Sequence, residues 1–159
     1  MRLWQEYKER GYGPDDILIQ LGLDAAPIDL IKIAELIGVE VILTDFPDSE
    51  QDGALEWEEN EPKIYVNRAH HNNRKRFTVA HELGHLFNDP DNQVTKRRSL
   101  HFGPVEARAN RFAVDLLMPD WLVQGEWISC GGNIQALAKA FNTSEKAMSL
   151  RLKALSLRV

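Results

Sequence analysis

The five residues His81-Glu82-Leu83-Gly84-His85 form the stretch around which the rest of this sequence is interpreted. On a helix, residues four apart are rotated by about 40° and separated by about 6 Å along the axis, so the two imidazoles of an H-E-x-x-H pattern point the same way. The apolar residues Phe77 and Phe87 on either side predict a helix that is buried on at least one face. The pattern therefore predicts two imidazole ligands for one metal ion, and zinc is the expected metal.

A catalytic zinc site needs a third protein ligand, which the sequence must supply elsewhere. Gly84 indicates how, because glycine inside a helix costs about 1 kcal/mol relative to alanine and suggests that another backbone approaches closely. The candidates are Asp91, six residues beyond the motif, His101 in a polar stretch, and Glu106 at the start of a further predicted helix. Glu106 is favoured because Asn110 follows on the same helical face, where its amide can hydrogen-bond a ligand imidazole.

Outward from the motif, the sequence predicts an α+β fold in which a small antiparallel sheet packs against helices. We expect two parts, a core of residues 1–119 and a helical C-terminal extension of residues 120–159 that resembles a helix-turn-helix and packs on the core. The predicted strands are Val39 to Leu43, Ala54 to Trp57 and Lys63 to Asn67, the last two forming a hairpin. The predicted helices open at Pro14, at Pro27, at a cap on Asn72 or Asn73, at Val105, at Ile134 and at Glu145.

Composition limits the class of protein. The chain has 159 residues, the size of one ordinary domain, and carries 19 basic against 24 acidic side chains, a net charge of −5. This balance argues against a protein that coats nucleic acid through bulk charge. Cys130 is the single cysteine, which excludes an internal disulfide and a multi-cysteine zinc cluster. No apolar run is long enough for a signal peptide or membrane span, so we expect a cytoplasmic protein.

Three stretches together carry a family resemblance. They are Ile64-Tyr65-Val66-Asn67, the run from Arg76 to His85, and the run from Glu106 through Asn110 and Ala113 to Pro119. In these stretches the sequence resembles the ImmA/IrrE family of zincin-type metallopeptidases. The resemblance covers most of the chain from about Asp29 onward, whereas residues 1–13 have no place in it.

The resemblance implies a zincin-like fold and a peptidase activity. It implies a zinc ion held by His81, His85 and Glu106, with manganese as the alternative metal, and Glu82 as the catalytic acid and base. Several members of the family cleave helix-turn-helix repressors that control mobile elements, phage or stress genes, so such a repressor is the expected protein partner. The C-terminal stretch 134–148 is similar to the helical pair that follows the peptidase core in relatives.

Residues that would contact the substrate or the transition state are less defined by spacing. A zincin usually has a second donor for the oxyanion, and the candidates here are Tyr65, His70, His71, Arg76 and His101. For His70 and His71 the simpler interpretation is a pair of solvated loop histidines. The strand through Tyr65 is expected to offer an edge on which an extended peptide could lie.

A regulator that binds DNA or another protein through its C-terminal helices is the competing hypothesis, with a metal site that is structural or inactive. Leu137, Phe141 and Ala147 have helix-turn-helix spacing, with Lys139 and Lys146 nearby. The simpler interpretation is two amphipathic helices that pack on the core. So few basic residues argue against autonomous binding of nucleic acid, although these helices remain the place where it would occur.

Overall fold

The computed structural model describes residues 2–89 and 103–157, and within them the chain forms eight helices and one three-stranded sheet. The α+β class predicted from the sequence is confirmed. The helices are α1 (Leu3–Glu9), α2 (Pro14–Leu21), α3 (Leu30–Ile37), α4 (Asn72–Asn88), α5 (Pro104–Leu117), α6 (Asp120–Ser129), α7 (Ile134–Ala140) and α8 (Glu145–Ala154). The strands are β1 (Glu40–Thr44), β2 (Gly53–Glu58) and β3 (Glu61–Asn67).

The sheet is mixed, which corrects the predicted antiparallel arrangement. Its order is β1-β3-β2, with β2 antiparallel to β3 but β1 parallel to it. The hairpin turns at Glu59 and Asn60, both with positive φ, as a tight two-residue turn requires. Because β3 is central and paired on both sides, the strand through Tyr65 has no free edge, and the predicted peptide-binding edge on that strand is wrong.

Several helix boundaries also differ from the prediction. Helix α3 begins at Leu30 rather than Pro27, because the Asp29 carboxylate caps it by accepting from the Lys32 amide at 3.0 Å. Helix α4 is capped by His71, whose Nδ1 accepts from the Asn73 amide at 3.3 Å, and not by either asparagine. Helix α6 was not predicted at all.

One face of the sheet is buried and carries the helices. Residues of one face alternate along each strand, so Val41, Leu55, Ile64 and Val66 share the side that joins the core with Val79 of α4. The C-terminal helices α7 and α8 contribute to the same core cluster through fully buried side chains, namely Leu137, Phe141, Met148 and Leu152. None of the described helices is both long and apolar enough to cross a membrane.

Helices α4 and α5 approach each other at Gly84. A Cβ added there would lie 2.9 Å from the Ala109 carbonyl oxygen and 3.0 Å from the Ala109 Cα, both backbone atoms. Beside this contact Ala109 and Ala113 are fully buried, and the rings of Phe87 and Phe112 stack at 5.7 Å. The close approach that glycine inside a helix predicted is therefore present, and it is made by the helix that carries Glu106.

Replacing Gly84 by alanine should separate α4 from α5. We expect a loss of about 1–3 kcal/mol in the free energy of unfolding from overpacking, although alanine has the better helix propensity. Urea unfolding measures this loss. Gly125→Ala is the control, because Gly125 lies in α6 with no atom within 4 Å of its added Cβ, and it should stabilise the chain by up to about 1 kcal/mol. Equal stabilisation by both changes would contradict the close contact.

Candidate metal centre

The side chains of the two motif histidines converge on one side of helix α4. His81 and His85 are 7% and 1% exposed, and their Nε2 atoms lie 3.1 Å apart. The four-residue spacing on a helix accounts for this convergence. Burial follows from the position of α4, which contacts the sheet on one side and α5 on another.

Helix α5 brings Glu106 to the same point. Its Oε2 lies 2.8 Å from the Nε2 of His81, and its Oε1 lies 3.2 Å from the Nε2 of His85. Glu106 is 3% exposed although it is in the first turn of its helix. Of the three residues considered as a third ligand, Glu106 is the one brought to the histidines, while Asp91 and His101 lie outside the described residues.

Two side chains hold the outer nitrogens of the imidazoles. The Nδ1 of His81 lies 2.7 Å from Asn110 Oδ1, and the Nδ1 of His85 lies 2.7 Å from Asp89 Oδ2. Because an amide oxygen and a carboxylate only accept, each Nδ1 carries the proton and donates it. In the neutral tautomer that carries this proton, the Nε2 lone pair of each ring points toward Glu106 and is the one that can bind a metal ion.

This arrangement fits a divalent cation. The Nε2 atoms of two imidazoles and one carboxylate face one another in a buried space, where a cation between them would interact favourably with all three. His81, His85 and Glu106 form one group whose ligand atoms all lie within 4.8 Å of one another. For a tetrahedral site with bonds of about 2.0–2.1 Å, neighbouring ligand atoms are about 3.3 Å apart, which small side-chain movements from the observed distances would reach.

Glu82 lies on α4 between the two histidines and is 5% exposed. It is not part of the three-residue group. Because Glu82 directly follows His81 on α4 and is buried, it is the candidate for proton exchange at this site.

Tyr65 and Arg76 do not occupy the positions predicted for contacts to a substrate. Tyr65 alternates with the buried Ile64 and Val66, so it projects from the opposite face of the sheet, where its hydroxyl donates to Glu58 at 2.8 Å. This hydrogen bond raises the pKa of Tyr65. The third candidate, His101, lies outside the described residues.

Arg76 ties three parts of the chain together. Its guanidinium donates to the carbonyls of Phe141 and Asn142 at 3.0 and 3.1 Å, and to that of Ile28 at 2.6 Å. Burial lowers the pKa of Arg76, and the nearby Asp29 carboxylate opposes the shift. The guanidinium thus anchors the α7–α8 turn to α4, which corrects its predicted role at the transition state.

Sequence reasoning missed Asp89 and misjudged His70. Asp89 has no role among the predictions from the sequence, although it follows His85 by four residues, a spacing that brings side chains together at the end of a helix. The His70 side chain is 7% exposed rather than solvated, with its Nε2 2.8 Å from the Ser49 carbonyl and its Nδ1 3.4 Å from Asp52. The asparagine at position 67 lies 3.1 Å from the same imidazole and fixes the 49–52 loop with it.

The fold and the buried group of His81, His85 and Glu106 define an α+β protein with an H-E-x-x-H helix and three side chains that could hold a metal ion. The family model Peptidase_M78, described as an IrrE N-terminal-like domain, matches residues 34–153. The chain belongs to this family, which confirms the resemblance inferred from the sequence.

Two further proteins are similar to parts or all of the chain. A protein of Bacillus phage phi105, named "Uncharacterized immunity region protein 2", is 34% identical over 74 residues, which cover 45% of this chain and 47% of that protein. The structure of a Mycobacterium tuberculosis transcriptional regulator matches with a TM-score of 0.63 and 17% identity, over 94% of this chain and 60% of the other. At that identity the likeness shows the fold alone. The matches span about half and three fifths of these two proteins.

Zinc should stabilise the chain, and Glu106→Gln should remove most of that effect by withdrawing the only anionic member of the group. At about 100 times its dissociation constant, a ligand adds about 2.7 kcal/mol, which for a chain of this size raises the melting temperature by about 5–10 °C. Thermal melts with zinc and with a chelator measure the shift. Glu145→Gln, on the exposed surface of α8, should keep it. A full shift in Glu106→Gln would contradict the three-ligand site.

Proposed function

We propose that this chain is a zinc-dependent metalloendopeptidase that cleaves a helix-turn-helix repressor. The observation that carries the proposal is the buried convergence of His81, His85 and Glu106, beside a buried Glu82 that is not one of the three. A purely structural zinc site usually fills all four positions with protein ligands and has no use for an additional buried carboxylate. Three ligands with an adjacent acid leave room for water and substrate.

The donor set favours zinc. Two imidazole nitrogens and one carboxylate oxygen suit zinc, whereas magnesium and calcium prefer sites made of oxygen. Manganese accepts the same ligands with lower affinity and is the alternative metal. Asn110 and Asp89 support the assignment because they keep each ligand imidazole neutral and correctly oriented.

The residues of the chain divide the chemistry between them. When bound, zinc acidifies a water molecule and polarises the peptide carbonyl. Glu82 then takes the proton of the attacking water and returns it to the departing amine as general acid. Burial of Glu82 and of the three ligand residues excludes bulk water, which strengthens these charge interactions.

We expect a peptide substrate to pair with β2 and not with β3, the strand of Tyr65. β2 is an edge of the sheet, and Gly53 at its start is so close to α4 that an added Cβ would lie 2.6 Å from Thr78 Cγ2. Thr78 precedes Glu82 by four residues and so shares its helical face. An extended peptide paired with β2 would therefore run past the side of α4 that carries the proposed acid and base.

The choice of a repressor as substrate rests on the family and on its phage relative. The similar protein of phage phi105 is named for an immunity region, and the family resemblance implies that several members cleave helix-turn-helix repressors. Such a substrate fits a cytoplasmic enzyme with its single cysteine reduced. In this proposal residues 1–119 form the catalytic part, and the extension of residues 120–159 takes part in recognition of the substrate.

The helices at the C-terminus offer little support for DNA binding. Arg151 donates to the Met118 carbonyl at 2.9 Å and pairs with Asp115 at 3.1 Å, so its charge is used inside the protein. The exposed face of α8 presents Lys146 and Lys153 beside Leu150, which is 60% exposed. Together with the exposed Lys139 of α7, these make three lysines, which are too few for strong binding to a phosphate backbone.

Glu82→Gln should abolish proteolysis while metal and fold remain. We expect the rate of repressor cleavage to fall by about 10²–10⁴, because the amide is not a base, with zinc content unchanged. The assay incubates the zinc-loaded protein with purified helix-turn-helix repressors encoded near its gene and follows cleavage by mass spectrometry. Glu35→Gln, exposed on α3, is the control and should retain the wild-type rate.

Two outcomes would contradict the proposal. Undiminished cleavage by Glu82→Gln would show that another group moves the proton. Absence of cleavage by the wild-type protein, combined with specific retardation of repressor-operator DNA, would favour the regulator hypothesis.

A further inference from the structure

We infer that Lys8, in the first helix of the chain, is a positioning residue of the metal centre, acting through Asp89 on His85. Lys8 lies outside both the family-matched range 34–153 and the part of the sequence that carried the resemblance. Its Nζ nevertheless donates to the carbonyls of Leu86 and Asp89, 78 and 81 residues away, at the C-terminal end of α4.

The Lys8 ammonium group lies at the C-terminal end of α4, where a positive charge stabilises a helix. The last carbonyls of a helix have no partner within the helix, and they carry its partial negative charge. A lysine that hydrogen-bonds two of them fixes the end of α4 in both position and direction. The motif histidine nearest that end is His85.

Asp89 links this anchor to the histidine. Its amide donates to the His85 carbonyl at 2.9 Å, its carboxylate accepts from the His85 Nδ1 at 2.7 Å, and its carbonyl accepts from Lys8. The hydrogen bond from Lys8 is therefore one of three that fix the position of Asp89 relative to the His85 imidazole. With that hydrogen bond lost, the residue that ends the helix could rotate, and the His85 Nε2 would lose its fixed direction.

The ammonium group is itself placed by the core. Trp4 and Tyr7 in the same helix are 3% and 6% exposed, and the ring of Trp4 meets Trp57 of β2 edge-on at 5.4 Å. Because α1 is held in the core on this side, the position of the Lys8 side chain is determined by packing and not by α4 alone. The first helix thus belongs to the structural support of the metal centre.

The inference rests on the proposed metal site, and zinc affinity tests it without reference to proteolysis. Lys8→Met removes the donor and keeps the aliphatic stem, and we expect zinc affinity to fall about tenfold in competition with a chromophoric chelator. The visible spectrum of the cobalt-substituted protein should broaden, because the ligand geometry becomes heterogeneous. Arg10→Met is the matched control, because it removes one positive charge directly after the same helix, where Arg10 pairs with Glu6 at 3.1 Å, and this variant should bind zinc like the wild type.

A double-mutant comparison separates positioning from general stability. In an Asp89→Ala background, Lys8→Met should cause no further loss of zinc affinity, because the path to His85 is already broken. The inference is overturned if Lys8→Met lowers only the melting temperature of the metal-free protein, or if it costs the same tenfold when Asp89 is absent. If Lys8→Met does not fold, Lys8→Gln replaces it, because the shorter glutamine amide does not reach both carbonyls. Its zinc affinity is then measured with and without the Asp89→Ala change. A wild-type chain that binds no zinc overturns the proposed function instead, so the two failures are distinguishable.

Discussion

The contact between α4 and α5 at Gly84 is the constraint on which the rest of the site depends. With no side chain at this position, the backbone of Ala109 can lie against the motif helix. That distance sets how far Glu106, one turn earlier on α5, reaches toward the two imidazoles. A wider separation would leave three polar side chains buried without a common point, which is a costly arrangement. Glycine at position 84 costs helix stability, but its lack of a side chain permits the close approach of α5 on which the His-His-Glu group depends.

Around that contact the charges are arranged in layers. The innermost layer consists of His81, His85 and Glu106. The next consists of Asn110 and Asp89, which accept hydrogen bonds from the Nδ1 atoms on the far side of each ring. A third layer is the proposed anchor at Lys8. Each layer restricts the one inside it, which is how a protein keeps a ligand set ready for an ion in the correct protonation state.

The sequence predicted most local features of this site, Asp89 excepted, and missed those that depend on distant pairing. Helical spacing was enough for His81 and His85, and the cost of Gly84 correctly indicated a neighbouring backbone. The peptide-binding edge predicted on the strand of Tyr65 was wrong because β1 pairs parallel to β3 and makes that strand central, which no local pattern specifies. Arg76 was misassigned for a related reason, since its carbonyl partners come from segments 48 to 66 residues away.

A crystal structure of the zinc-loaded protein, with anomalous diffraction recorded at the zinc edge, tests the central claim most directly. We expect one strong anomalous peak between the Nε2 atoms of His81 and His85 and the carboxylate of Glu106, with a solvent molecule completing the coordination. A structure in which these three groups lie apart, or in which zinc binds elsewhere and leaves them without an ion, would contradict it.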